Sequence, residues 1–139
     1  MLAVLIKLSP GWETDLKQAK EKAKVEHKYI LLNFSGSDWC GPCIRMKEVI
    51  FDSRPFADFA ESKLILVNAD FPRMKKHQLT KDQQEKNNRL ADQYDPAGNF
   101  PYTVLMDSTG KVLYSWEGLP PVSGLQFTSQ LKDILNAAR

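Results

Sequence analysis

The chain has 139 residues, about one domain, and its 42% hydrophobic and 26% charged content is ordinary globular usage, which excludes a disordered chain and a fibrous repeat. Nineteen Lys and Arg against 17 Asp and Glu leave a formal charge of +2, too little for a dedicated nucleic-acid binder. Only two cysteines are present, Cys40 and Cys43, which excludes a four-thiolate zinc site and a disulfide framework.

From the N-terminus, the apolar run Leu2 to Ile6 breaks at Lys7 and is too short to span a bilayer. The basic region, longer apolar run and cleavage site of a secretory signal are incomplete, which leaves open a mature or trimmed exported protein. Residues 2–8 read as a first β-strand or, alternatively, as a flexible tail. Residues 1–11 are thus an extension of a single domain over 1–139. Trp12, Leu16, Ala19 and Ala23 recur at helical spacing between lysines and glutamates, which predicts an amphipathic helix over 13–26 with a solvated charged face. Tyr29 to Phe34 reads as a buried parallel strand. It feeds directly into Ser35-Gly36-Ser37-Asp38-Trp39-Cys40-Gly41-Pro42-Cys43, after which Ile44, Met46, Lys47, Val49 and Ile50 suit a helix with Pro42 in its first turn.

A short helix from Phe56 to Glu61 and a strand from Leu64 to Asp70 follow, completing a right-handed βαβ unit. Residues 71–80 are basic and irregular. Thr80 with Gln83 reads as a capping box opening a helix over 81–94, so the segment at about 71–95 is basic and helical in its second half. Tyr102–Met106 and Val112–Trp116, joined through Asp107 to Lys111, read as a β-hairpin. A last helix is marked by Ser123 and Gln126 and places Leu131, Ile134, Leu135 and Ala138 on one face. The order is βαβαβα followed by ββα: an α/β fold whose central mixed sheet is parallel in its first half and antiparallel at the C-terminal hairpin.

The cysteine spacing carries chemistry of its own. Disulfide exchange needs an attacking thiolate and a second thiol near enough to resolve the mixed disulfide. Cys40, at a helix N-terminus where unpaired N–H groups favour negative charge, is expected to titrate below a free thiol and to act as nucleophile. Cys43, one turn inside, is expected to be less exposed and to resolve. Pro42 stiffens the turn and Gly41 leaves room for a partner's sulfur. Trp39 reads as a partly exposed aromatic that contacts substrate or shields the site. A metal site completed by His27 and His77 is disfavoured, because neither histidine shows ligand spacing.

Trp39-Cys40-Gly41-Pro42-Cys43 at a strand-to-helix junction, Phe100-Pro101 before the hairpin and Gly118 after it resemble the thioredoxin family over nearly the whole chain. Trp12 and the run Phe34 to Cys43 are similar to its disulfide-isomerase-like, often exported members. The resemblance implies a thioredoxin fold, a cis Pro101 against the redox pair, and a substrate groove formed by Trp39, Gly41, Pro42, Phe100, Pro101 and Gly118. It implies a protein-disulfide oxidoreductase acting through Cys40 and Cys43, with a reductase favoured by Gly41-Pro42. Isomerisation or oxidation of exported proteins is the alternative, and a redox-inert peptide-binding module the more distant rival. Disulfide-containing protein substrates and an upstream thiol reductant are the expected partners, with no metal, organic cofactor or nucleic acid. The expected state is a monomer, and the expected compartment periplasmic or otherwise exported, with the cytoplasm as alternative.

Two departures from the family pattern stand out. Asn33 occupies the place of the family's buried Asp, and Leu66 that of its Lys partner. An amide is no general base. Asp38 offers either a substitute for that carboxylate or a turn cap. The basic segment Arg73 to Arg89 reads as a surface insertion or a partner-binding element.

Overall fold

The computed structural model describes residues 11–138; the predicted strand over 2–8 lies outside them. Five strands form one sheet in the order β1-β3-β2-β4-β5: β1 (Trp12–Glu13), β2 (Tyr29–Ser35), β3 (Leu64–Asp70), β4 (Tyr102–Met106) and β5 (Val112–Glu117). β1, β2 and β3 are mutually parallel in their pairings, and β4 runs antiparallel to both β2 and β5. The expected change from parallel to antiparallel falls between β2 and β4.

The helices are α1 (Leu16–Glu26), α2 (Gly41–Met46), α3 (Arg54–Lys63), α4 (Lys81–Tyr94) and α5 (Gly124–Ala137). α2 passes into a π-helical turn over Lys47–Phe51, and a 3-10 turn covers Lys75–His77. Alternation along β2 and β3 distributes the helices over two layers, since successive side chains point to opposite faces. Leu31, Leu64 and Leu66 join Met46, Ile50, Phe51, Phe56, Phe127, Leu131 and Leu135 beneath the dithiol helix, α3 and α5. Ile30, Leu32, Phe34, Ile65, Val67 and Ala69 pack against Leu16, Ala19 and Ala23 of α1 on the other face, with Leu90 and Tyr94 of α4 at the margin. The first layer is knitted by rings: Phe51 lies 5.2 Å from Phe56, and Phe127 lies 4.8 Å from Trp116. Each fully buried Phe contributes about 2–3 kcal/mol from area alone, so this aromatic chain anchors the turn that follows α2.

Several boundaries differ from those read in the sequence. Trp12 is not on a helix: it pairs with Leu66 as part of β1, and its ring meets Phe51 edge-on at 5.1 Å. α1 begins only at Leu16, because Asp15 is extended and its carboxylate accepts the Gln18 N–H at 3.1 Å, the geometry of an N-cap. Thr80 accepts the Gln83 N–H, but the Gln83 side chain donates to Thr14 O and Asn87 Oδ1 instead of closing a box. Ser123 and Gln126 do form the reciprocal capping box. The inner face of α5 is Phe127, Thr128, Leu131 and Leu135, while Ala138 is an exposed C-cap.

Candidate active site

β2 ends at Ser35, and the next five residues turn the chain into α2. The Cys40 N–H donates to Gly36 O at 2.9 Å and closes this turn, leaving Cys40 extended as the N-cap of α2. Cys40 and Cys43 form a disulfide with Cα atoms 5.2 Å apart. Cys40 Sγ accepts the Cys43 N–H at 3.2 Å, and Cys43 Sγ accepts the Gly36 N–H at 3.5 Å. Burial does not separate them as expected from their positions: Cys40 is 5% and Cys43 6% exposed. Cys40 sulfur meets one N–H of the first turn of α2, a helix end where negative charge is favoured.

One wall beside the disulfide is aromatic. Trp39 is half-buried and lies edge-on to Phe100 at 5.5 Å, and Phe100 is edge-on to Phe71 at 5.4 Å. The Trp39 Nε1–H donates to Phe71 O at 2.7 Å. The Phe100–Pro101 peptide is cis, as the family resemblance implies. Pro101 O accepts the N–H of Gly118, whose φ of 71° lies in the left-handed region that favours glycine. Gly41 and Pro42 are exposed at the mouth, and a side chain at Gly41 would meet nothing.

Behind Cys43 is a cleft of about 530 Å³ whose lining includes Trp12, Ile44 and Phe51 together with Asn33, Ser35 and Asn68. Asn33 is 6% exposed; its amide donates to Asn68 Oδ1 at 3.2 Å and its carbonyl accepts the Thr103 hydroxyl at 3.1 Å. The cross-strand neighbour of Asn33 is therefore Asn68, while Leu66 lies two residues earlier in the apolar core. The amide pair that links β2 and β3 here is neutral, with Asn33 buried and Asn68 partly exposed.

Asp38 neither caps its own turn nor reaches this cleft's lining. Its carboxylate accepts the backbone N–H groups of Arg73 at 2.9 Å and Met74 at 3.0 Å, and pairs with His77 Nδ1 at 2.9 Å. These donors, the Arg73 N–H foremost, hold its pKa down at about 2. The Arg73 guanidinium sits 3.6 Å above the centroid of the Trp39 ring. Sequence reasoning missed Phe71, Arg73 and His77 as partners of Trp39 and Asp38, and the signal they carried was their basic and aromatic character. His27 is the C-cap of α1 with a φ of 57°, and His77 pairs with Asp38.

Fold and cysteine pair together define a thiol-disulfide oxidoreductase. Residues 16–135 match the model of the thioredoxin-like domain, and the chain belongs to that family. Over 124 residues, 89% of this chain and 72% of the relative, it is 41% identical to the disulfide bond reductase DsbH of Chlamydia pneumoniae. A solved structure of DsbH oxidoreductase superposes with a TM-score of 0.82 at 38% identity, covering 92% of this chain and 85% of that one. The disulphide isomerase of Xylella fastidiosa Temecula1, at 20% identity and a TM-score of 0.62 over 84% of this chain and 88% of that one, shares the fold.

Proposed function

We propose that the protein, acting as one thioredoxin-like domain, reduces disulfides in protein substrates. Cys40 is the nucleophile, and the observation that carries this is its sulfur at the N-cap of α2, accepting the Cys43 N–H. In the dithiol form, Cys40 thiolate attacks one sulfur of the substrate disulfide. A mixed disulfide forms, and the departing substrate thiolate takes up a proton. Cys43 then loses its proton and attacks Cys40 Sγ. This releases the second substrate thiol and yields the Cys40–Cys43 disulfide seen in the structure. Two electrons and two protons have passed to the substrate, and an upstream thiol reductant restores the dithiol.

Trp39, Phe100, Pro101 and Gly118 border the groove, where the free backbone of Phe100 supports pairing with an extended substrate segment. Gly41 and Pro42 leave the mouth open. The 41% identity to a disulfide bond reductase supports reduction over isomerisation or oxidation. We read the protein as a monomer acting in an exported compartment; no helix among the described residues is long and apolar enough to cross a membrane. Insulin reduction driven by a chemical thiol tests the reading: the wild type should accelerate it, and Cys40→Ser should not. An inert wild type would favour a peptide-binding module instead.

A further inference from the structure

The segment from Phe71 to Lys81 contains Arg73, Lys75, Lys76, His77 and Lys81 and no acidic residue. Runs of this kind usually form solvated loops, but this one is fastened to the residues that immediately precede the nucleophile. The Phe71 N–H donates to Ser35 O at 2.9 Å and its carbonyl holds the Trp39 indole, while Asp38 gathers the N–H groups of Arg73 and Met74 and the ring of His77. The 3-10 turn at Lys75–His77 is therefore fixed beside the WCGPC loop.

His77 is paired with Asp38, but the other three cations of the turn are not paired. Among the described residues no carboxylate lies within 4.0 Å of a side-chain nitrogen of Arg73, Lys75 or Lys76, all of which are exposed. The ionised Asp38 carboxylate, 6% exposed and held by these N–H donors, offsets part of this charge and leaves the three exposed cations in excess. Arg73 is stacked on Trp39, and a stacked guanidinium keeps its in-plane N–H fork free for a carboxylate. Gly41, Pro42 and Gly118 are uncharged, Glu117 is engaged by Asn99 Nδ2 at 3.3 Å, and the cleft behind Cys43 carries Lys47 together with Glu48 and Asp52.

We propose that residues 73–77 form a basic lip that selects polypeptide disulfides flanked by Asp or Glu, an inference that rests on the reductase reading above. Charges at the rim of a contact act chiefly on the rate of encounter and are weakened by salt.

The test uses two peptides of equal length, each with one disulfide, flanked in one by Glu and in the other by Lys. Reduced protein is mixed with each at low and high ionic strength, and rates are normalised to reduction of a small uncharged disulfide by the same variant. The Glu peptide should react about tenfold faster at low salt, with the ratio shrinking at high salt. In Arg73→Gln/Lys75→Gln/Lys76→Gln the ratio should approach one. Equal rates for the two peptides, or a ratio unchanged in the triple variant, would overturn the proposal. Reduction of the small disulfide but of neither peptide would overturn the protein-reductase reading itself, and the lip with it.

Discussion

Asn33 donates through Nδ2 to Asn68 Oδ1 at 3.2 Å across the β2–β3 pair, in the lining of the cleft that reaches Cys43. The two amides put no ionisable pair on the sheet beneath the dithiol helix. Restoring a carboxylate with Asn33→Asp adds negative charge that opposes thiolate formation, so the thiols should titrate higher and the reduced form should be less favoured. One pKa unit corresponds to about 1.4 kcal/mol, or about 30 mV for a two-electron couple. Equilibration of both proteins against a glutathione buffer should therefore show Asn33→Asp more reducing by tens of millivolts. An unchanged or more oxidising couple would refute this electrostatic reading of the cleft.

Gly36 is needed for the contact between the loop and Trp39. A Cβ at this position would collide with the indole, which cannot swing away without losing its bond to Phe71 O and its contact with Arg73. Gly36→Ala should cost about 1–3 kcal/mol, lower the melting temperature by several degrees and shift tryptophan fluorescence. A variant with wild-type stability and emission would show that the wall is softer than its packing implies.

Asp38 should matter through its charge. Because its folded pKa of about 2 lies below the ordinary value of 3.8, its stabilising contribution is complete above that ordinary value and is lost as pH falls through about 2. In Asp38→Asn, hydrogen-exchange protection of the Arg73 and Met74 amides should fall at least about tenfold at neutral pH. The difference from wild type should close as the pH approaches about 2. Unaltered protection at neutral pH would mean that other contacts hold the 71–77 segment.

Much of this arrangement was legible in the residues themselves. Tyr29 to Phe34 and Leu64 to Asp70 are apolar runs with no competing helical period, and Pro42 and Ser123 mark helix starts through their own chemistry. Trp12 was misread because its strand exists only by pairing with β3, more than fifty residues later in the chain. Asp38 was ambiguous for the same reason: its partner Arg73 is 35 residues away, and no local pattern distinguishes a carboxylate that caps its own turn from one that fastens a distant segment. The equal burial of the two cysteines depends on how the loop folds over them, which their spacing alone does not determine.

Asp95, at the C-cap of α4, is 3% exposed, and among the described residues its Oδ2 is the one buried side-chain oxygen without a hydrogen-bond partner. Burial raises its pKa, against the opposing pull of the Asn99 and Gly98 N–H groups. A raised folded pKa means that stability is greatest with the acid protonated and declines as pH rises through its titration. Asp95→Asn should accordingly raise the melting temperature by about 2–4 °C at pH 7, with the gain disappearing toward pH 3. A lower melting temperature at pH 7 would show that the charge is better solvated than its burial indicates.

The central claim, that Cys40 attacks and Cys43 resolves, is tested most directly by trapping. Cys43→Ser retains the nucleophile and has nothing to release it, so incubation with disulfide-bearing protein should accumulate mixed disulfides at Cys40, visible by mass mapping and reversed by reductant. Cys40→Ser should accumulate far fewer. Equal trapping by both variants, or preferential trapping through Cys43, would contradict the assignment.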